Sequence, residues 1–486
     1  MWDDRPSPEQ REQLAERLRR VLPPPRPGAP GDSAALAPEL SEVSPAQAAE
    51  ALRRQPGFLW LDGGPDGHRL FARPLVTLRV RGRQARVASP GRGGASDAFP
   101  ARGFDLLEAA LLAWGGTGES RAFLVGYLGY ELGGELEKLP RPPADDLRLP
   151  DLHLALYDRA LRWDGRAWFL EHTAAWREDG TVSGAEKLLR SARRRALPPP
   201  EEIAPGPVTS RPDGAGFAAA VRRTVERIHR GEICQTNLCR RLEAELPAAS
   251  LWPFYHRLRA ASPAVYGAWV DLGRGRAVMS VSPELFLSAR GGLVESRPIK
   301  GTRPRGEDPK ADRALARELT ESAKDRAELA MIVDVTRNDL GRVAVTGSVQ
   351  VARHAEVISL PTVHHTVSTV RSQLRPGCGA AELLRASFPA ASISGAPKIQ
   401  AMAIAAAEEP RRRGPAMGAF GWIALSGDLE LAVAIRTAAA AGGKVTYHAG
   451  CGIVADSKPE EELEESRVKA RAFLTALGAR EAWEKD

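Results

Sequence analysis

The chain has 486 residues, 43% hydrophobic and 27% charged, with a net charge of +7. This composition fits a globular protein of about three domain-sized units, and no window approaches the 18 uncharged apolar residues that would span a bilayer. The basic excess lies in arginine runs such as 193–195 and 411–413 without interleaved aromatic residues, which excludes a base-stacking nucleic-acid surface and leaves solvated helix ends and turns.

Met1-Trp2-Asp3-Asp4-Arg5 leads into a polar helix pattern and not an apolar leader, so a cytoplasmic location is expected. Leu14, Leu18 and Leu22 recur at helical spacing and predict a helix over 8–22, broken by the proline-rich stretch 22–31. Strand-like runs follow at 58–61 and 70–80, then a helix over 104–114. Residues 122–130 read as a strand whose glycines admit close backbone approach. A proline-rich break at 139–143 precedes two strand candidates within 153–172. A second proline-rich stretch, 197–207, marks a seam between an N-terminal region, 1–207, and a second region, 208–480. The second region opens on a helix over 216–231 closed by Gly231. Runs at 265–270, 277–281 and 285–289 read as consecutive strands with antiparallel neighbours. The four cysteines, Cys234, Cys239, Cys378 and Cys451, form no C-x-x-C pair or zinc template and are expected to be reduced.

Several segments of the second region carry chemistry. Lys300 stands in Arg297-Pro298-Ile299-Lys300-Gly301-Thr302, pinned by proline and glycine. It is either a solvated turn lysine or an amine whose pKa is lowered for nucleophilic attack. Asp325 and Glu328 share one helix face, as do Glu462 and Glu465 after Pro459. Each pair is either a solvated acidic face or half of a Mg²⁺ site, since that ion takes oxygen ligands in octahedral geometry. The run from Ser392 to Lys398 is a helix cap or an anion cradle. Gly450-Cys451-Gly452 lets a ligand approach main chain. Arg436 ends an apolar strand, where it meets either an anionic ligand or a buried carboxylate.

In order along the chain, these segments resemble the chorismate-utilising enzyme family over roughly 210–475. The match runs through residues 231–238 (GEICQTNL), 282–286 (SPELF), the lysine run, 332–341 (IVDVTRNDLG), 363–368 (VHHTVS), the SGAPK run and 452–457 (GIVADS). Residues 126–130 and 149–151 of the first region resemble the branch that makes 4-amino-4-deoxychorismate, on the route to p-aminobenzoate and folate. The resemblance implies an α/β (α+β) sandwich in which two facing, mainly antiparallel sheets carry outer helices, with 208–480 as the chorismate-binding catalytic domain. It implies Mg²⁺ held by Glu328 and Glu465, with Asp325 and Glu462 acting directly or through water. It makes Glu284 the general acid and His365 the histidine near the leaving hydroxyl. Substrate contacts fall to Gln235, Arg436, Gly452, Gly395, Trp422 and Thr302. Trp422 departs from the tyrosine common in relatives and lacks a phenolic hydroxyl.

Two positions choose the branch by resemblance. Lysine at 300 matches aminodeoxychorismate synthases, where anthranilate synthases carry alanine; attack at C2 would form a covalent intermediate that ammonia displaces at C4. Glutamine at 235 replaces the lysine that activates water in isochorismate synthases, so ammonia is the favoured nucleophile. The chain shows no nucleophile-elbow cysteine with partner His and Glu, so a separate glutamine amidotransferase subunit is expected to supply ammonia. Anthranilate synthase component I, and a secondary-metabolism enzyme making the same product, are the competing assignments.

Overall fold

The computed structural model describes all residues except 1–4, 26–30, 91–93, 116–121, 141–142, 174–181, 195–202, 204–205, 361–362 and 480–486. Two sheets of twelve strands each face one another among the described residues, and every strand pair within them is antiparallel. The first runs from Gly31–Ala35 at one edge to Thr209–Arg211 at the other; the second runs from Ile299–Pro304 to Ser96–Pro100.

Both sheets cross the 207/208 seam. In the first, Leu59–Gly63 pairs with Tyr266–Gly273. In the second, Phe123–Leu128 pairs with Ala419–Ala424. The seam therefore divides the chain in sequence while the two stretches share both sheets in space.

The strand Phe123–Leu128 shows why the layers stack. All six residues are buried. Phe123, Val125 and Tyr127 enter the core between the sheets, while Leu124 and Leu128 enter the core under the outer helices. Alternation on a strand covered on both faces requires this continuous apolar run. The helices Leu251–Ala261 and Pro459–Leu477 close the outer face of the first sheet through Phe254, Phe473 and Leu474.

Several expectations change in detail. The run 70–80 is two strands in different sheets, His68–Phe71 and Val76–Arg81, because Arg73 at φ +54 and Pro74 turn the chain between them. Residues 153–172 hold three strands and not two: Leu152–Tyr157, Arg159–Trp163 and Trp168–Thr173. The runs near 265–270 and 277–281 form a hairpin, but Leu285–Arg290 leaves for the second sheet. The helices expected over 8–22, 104–114 and 216–231 are Pro8–Val21, Gly103–Trp114 and Gly214–His229. The 197–207 stretch lies largely outside the described residues, as do 26–30 of the first linker and 141–142 of the second. Among the described residues no helix is long and apolar enough to cross a membrane.

Candidate active site

Two links carry the chain from one sheet to the other at the same place. Pro283-Glu284 joins Arg276–Ser282 to Leu285–Arg290, and 434–436 joins Leu429–Val433 to Thr437–Ala441. The links brace each other: the Val433 N–H donates to the Glu284 carbonyl at 3.0 Å, and the Val281 N–H donates to the Arg436 carbonyl at 3.2 Å. Arg436 is held at φ +50, a conformation that costs a non-glycine residue about 1–3 kcal/mol and persists only where surroundings enforce it.

Glu284 is buried, and burial pushes its carboxyl up to about 7 against the opposing pull of the Ser392 hydroxyl and Lys300. A carboxyl of that kind holds its proton near neutrality. Burial also lowers the Arg436 pKa, and no carboxylate raises it back; the one group that does is the Tyr447 phenol. The buried structural salt bridge weighed for Arg436 is therefore not what the described residues form.

Lys300 lies on Ile299–Pro304, against Val363–Gln373. The register shifts between Lys300 and Thr302, and Gly301 between them sits at φ +76. This bulge re-aims the side chains on either side of it. Lys300 Nζ donates to the Ser392 carbonyl at 3.4 Å. Burial lowers its pKa; Glu328 opposes that, Lys469 adds to it, and Glu284 and Glu465 oppose it more weakly. Thr302 Oγ1 lies 2.9 Å from His365 Nδ1. His365 is buried, its Nε2 has no protein partner, and burial with Arg436 nearby pushes its pKa down to about 4. Its neighbour His364 points to the opposite face, where it meets Asp312 at 2.9 Å and Ser359 at 2.8 Å.

The first sheet supplies the facing wall. Gln235 begins the strand Gln235–Glu245, which pairs with Lys444–Ile453. A Cβ on Gly452 would collide with Gln235 Nε2 and come within 3.1 Å of Lys300 Nζ. So Gln235, Gly452 and Lys300 meet across the cleft, and glycine at 452 keeps the space open. Gln235 Oε1 is buried without a partner. Gly395, at φ +142, pairs with Thr236, and a Cβ there would strike the Gln235 carbonyl; its lack of a side chain seats the Gln235 strand. The Lys398 ammonium is tied to Asp339 at 2.5 Å and to the Ser387 and Pro389 carbonyls at 2.9 Å.

The carboxylates arrive on two helices. Ala323–Gly341, capped by Ser322, presents Asp325 and Glu328; Pro459–Leu477 presents Glu462 and Glu465. Burial raises Glu328, with Lys300 and Lys324 opposing and Asp325 and Glu465 adding. Burial would raise Glu465 too, but Lys469, 2.7 Å away, holds it below the usual range. Glu462 accepts from Ser457 Oγ at 2.7 Å, and its Oε2 is buried without a partner. Oxygen atoms of Glu462 and Glu465 lie within 4.8 Å of each other and of the Cys451 sulfur. Two of these three groups are carboxylates, the ligand type a hard divalent cation takes, while Glu328 and Asp325 are not in this cluster. Asp325 fits least well, because Arg303 Nη2 already donates to it at 3.3 Å.

Trp422 is the sequence-predicted residue that the structure does not bring to this constellation. Its ring packs edge-on against Phe123 at 5.5 Å in the core between the sheets, with the Arg290 guanidinium 4.5 Å above it. Sequence reasoning missed Lys469 and Arg303. Lys469 was legible, since it follows Glu465 at i+4 on one helix; Arg303 reaches Asp325 only through tertiary folding.

The family model described as chorismate binding enzyme matches residues 57–475. The chain belongs to that family. Over 353 residues it is 38% identical to aminodeoxychorismate synthase component 1 of Escherichia coli (strain K12), covering 73% of this chain and 76% of that one. Over 367 residues it is 40% identical to anthranilate synthase component 1 of Thermus thermophilus, covering 74% and 78%. The crystal structure of anthranilate synthase component I from Streptococcus pneumoniae TIGR4 matches with a TM-score of 0.69 at 26% identity, over 89% of this chain and 97% of that one. The protein is thus a chorismate-utilising enzyme, and overall identity does not separate the two activities that its relatives carry.

Proposed function

We propose that this chain is the synthase component of an aminodeoxychorismate synthase, converting chorismate and ammonia to 4-amino-4-deoxychorismate. The observation that carries the reading is Lys300: an amine in the cleft, its pKa lowered by burial, facing Gln235 and Gly452. A desolvated amine gives up its proton more readily than a solvated one, which favours it as a nucleophile. Lys300 attacks C2, the ring electrons shift, and the C4–O bond breaks as Glu284 gives its proton to the departing hydroxyl. Ammonia then attacks C4 and the Lys300 amine leaves. Glu284 suits its part because burial keeps its proton on near pH 7. His365 is neutral in this range, fixed through Nδ1 by Thr302, and presents Nε2 to the leaving group. Arg436 and the Gly452 amide bind the substrate carboxylates.

Glu328 and Glu465, with Glu462 beside them, would hold Mg²⁺; bound there, the ion would neutralise a substrate carboxylate and orient it. A glutamine amidotransferase subunit would supply the ammonia, in keeping with the "component 1" names of the relatives. The purified chain, given chorismate, ammonium salt and Mg²⁺, is expected to form aminodeoxychorismate, and Lys300→Ala to lose that product. Anthranilate from the wild type would overturn the assignment, and undiminished turnover by Lys300→Ala would overturn the covalent step.

A further inference from the structure

Next to Glu284 lies a small polar chamber. It offers about 10 Å³ and is lined by Glu284, Ser296, Thr336, Asp339, Ser387 and Ser392 among apolar neighbours. Room of this size is on the order of one water, and a water there needs two to four polar partners. The partners are present. Ser387 and Ser392 are buried, and the Ser387 hydroxyl has no hydrogen-bond partner among the described residues. The Ser392 hydroxyl stands beside the Glu284 carboxyl. A buried hydroxyl without a partner, at one small space shared with a buried carboxyl, is a cost the fold does not ordinarily carry.

One of the residues lining the chamber, Asp339, is bonded to a residue that is partly exposed. Asp339 is buried and bonded to Lys398 at 2.5 Å, while Lys398 begins the helix Lys398–Glu408 and is partly exposed. Neither Ser387, Ser392, Asp339 nor Lys398 is needed for substrate contact in the mechanism above.

We propose that the chamber is a water site, held by Ser387 and Ser392, through which Glu284 is reprotonated from the Asp339–Lys398 pair after each turnover. The inference rests on Glu284 being the general acid. Once Glu284 has given its proton to the departing hydroxyl, it is a buried carboxylate. The chamber water breaks one O–H bond to re-form the Glu284 O–H bond, and takes a replacement proton from the Asp339 carboxyl. Asp339 recovers its proton from solvent at its Lys398 side. Burial pushes Asp339 up to about 6, against the pull of Lys398 and Arg342, so it carries a proton for part of the time near neutrality. The charged group facing Glu284 is Lys300.

The test has two arms. In a crystal structure of the wild type, a water within hydrogen-bond distance of Ser387 Oγ, Ser392 Oγ and the Glu284 carboxyl is expected; an apolar-packed or dry chamber overturns the proposal. In steady-state kinetics with chorismate, the Ser387→Ala, Ser392→Ala double variant is expected to lose about tenfold in kcat with KM unchanged, short of the 10²–10⁴ that a general acid itself supplies. Its solvent deuterium isotope effect on kcat should rise, and Ser392→Thr, which keeps the hydroxyl, should restore most of the rate. Unchanged kcat and isotope effect in the double variant overturn the proposal. Should the wild type fail to turn over chorismate, the functional reading fails by itself, and the crystallographic arm still decides whether the chamber holds the water.

Discussion

The space between the two sheets is filled in opposite ways at its two ends. Toward the N-terminal strands, Phe71, Phe123, Tyr157 and Trp422 close it with ring against ring. Charges at that end are paired: Asp62 is held by Arg259 and His68, and Glu171 by Arg69 and Arg162. Toward the C-terminal strands, the same architecture holds Gln235 Oε1 and His365 Nε2 buried without a partner among the described residues. A fold tolerates unpaired polar groups where a ligand completes them. The contrast separates a region built for stability from one built for binding, and mutations should separate them too.

The largest effect is expected at Glu284. Glu284→Gln should cut kcat by 10²–10⁴, the range of a lost general acid. It should also stabilise the protein at high pH. The Glu284 carboxyl rises from an ordinary 4.5 to about 7 on folding. Its contribution to stability is therefore complete below pH 4.5 and is lost as pH rises through about 7, a difference of up to about 3 kcal/mol at pH 8. Urea unfolding at pH 5 and pH 8 should show this decline in the wild type and not in the variant. The wild-type kcat should fall above pH 7 for the same reason.

Phe123→Ala tests the opposite end. It should cost about 3–5 kcal/mol of stability in urea titrations, by cavity formation between the sheets, while kcat per folded molecule stays the same. A large loss of kcat there would break the division between the two ends.

Arg436→Ala should raise KM for chorismate by about 10–100-fold, the worth of a charge-assisted bond of about 1.5–3 kcal/mol, with little change in kcat. The smallest effect is expected at Asp325→Asn. Because Arg303 already occupies Asp325, the Mg²⁺ dependence of the rate should shift by less than about threefold, near the 0–1 kcal/mol of a peripheral ion pair. Glu328→Gln should shift it far more, and equal shifts in the two would remove their ranking as metal ligands.

Much of the site was legible because its chemistry is local. The i, i+3 spacing put Asp325 with Glu328 and Glu462 with Glu465 on single helix faces, and the glycines around Lys300 and Gly452 marked backbone under close approach. Trp422 was misplaced because a motif fixes a residue's neighbours along the strand and not which layer its ring enters. At its position alternation turns the ring into the inter-sheet core, and Phe123 and Arg290 receive it there. The Lys398 ammonium closes on Asp339, 59 positions away in sequence, a contact that no local pattern signals.

By itself the sequence determined the residue types, the helical and strand periods, and the family pattern that together imply chorismate chemistry at Lys300, Glu284 and His365. Tertiary structure alone decided that Glu284 and Arg436 sit on paired crossovers between sheets, and that Arg303 occupies Asp325. It also decided that the two halves share both sheets and that a polar chamber lies next to Glu284. The reason is physical. Period and propensity act over a few residues, while desolvation, which sets the pKa values of Glu284 and Lys300, depends on every segment that closes over them.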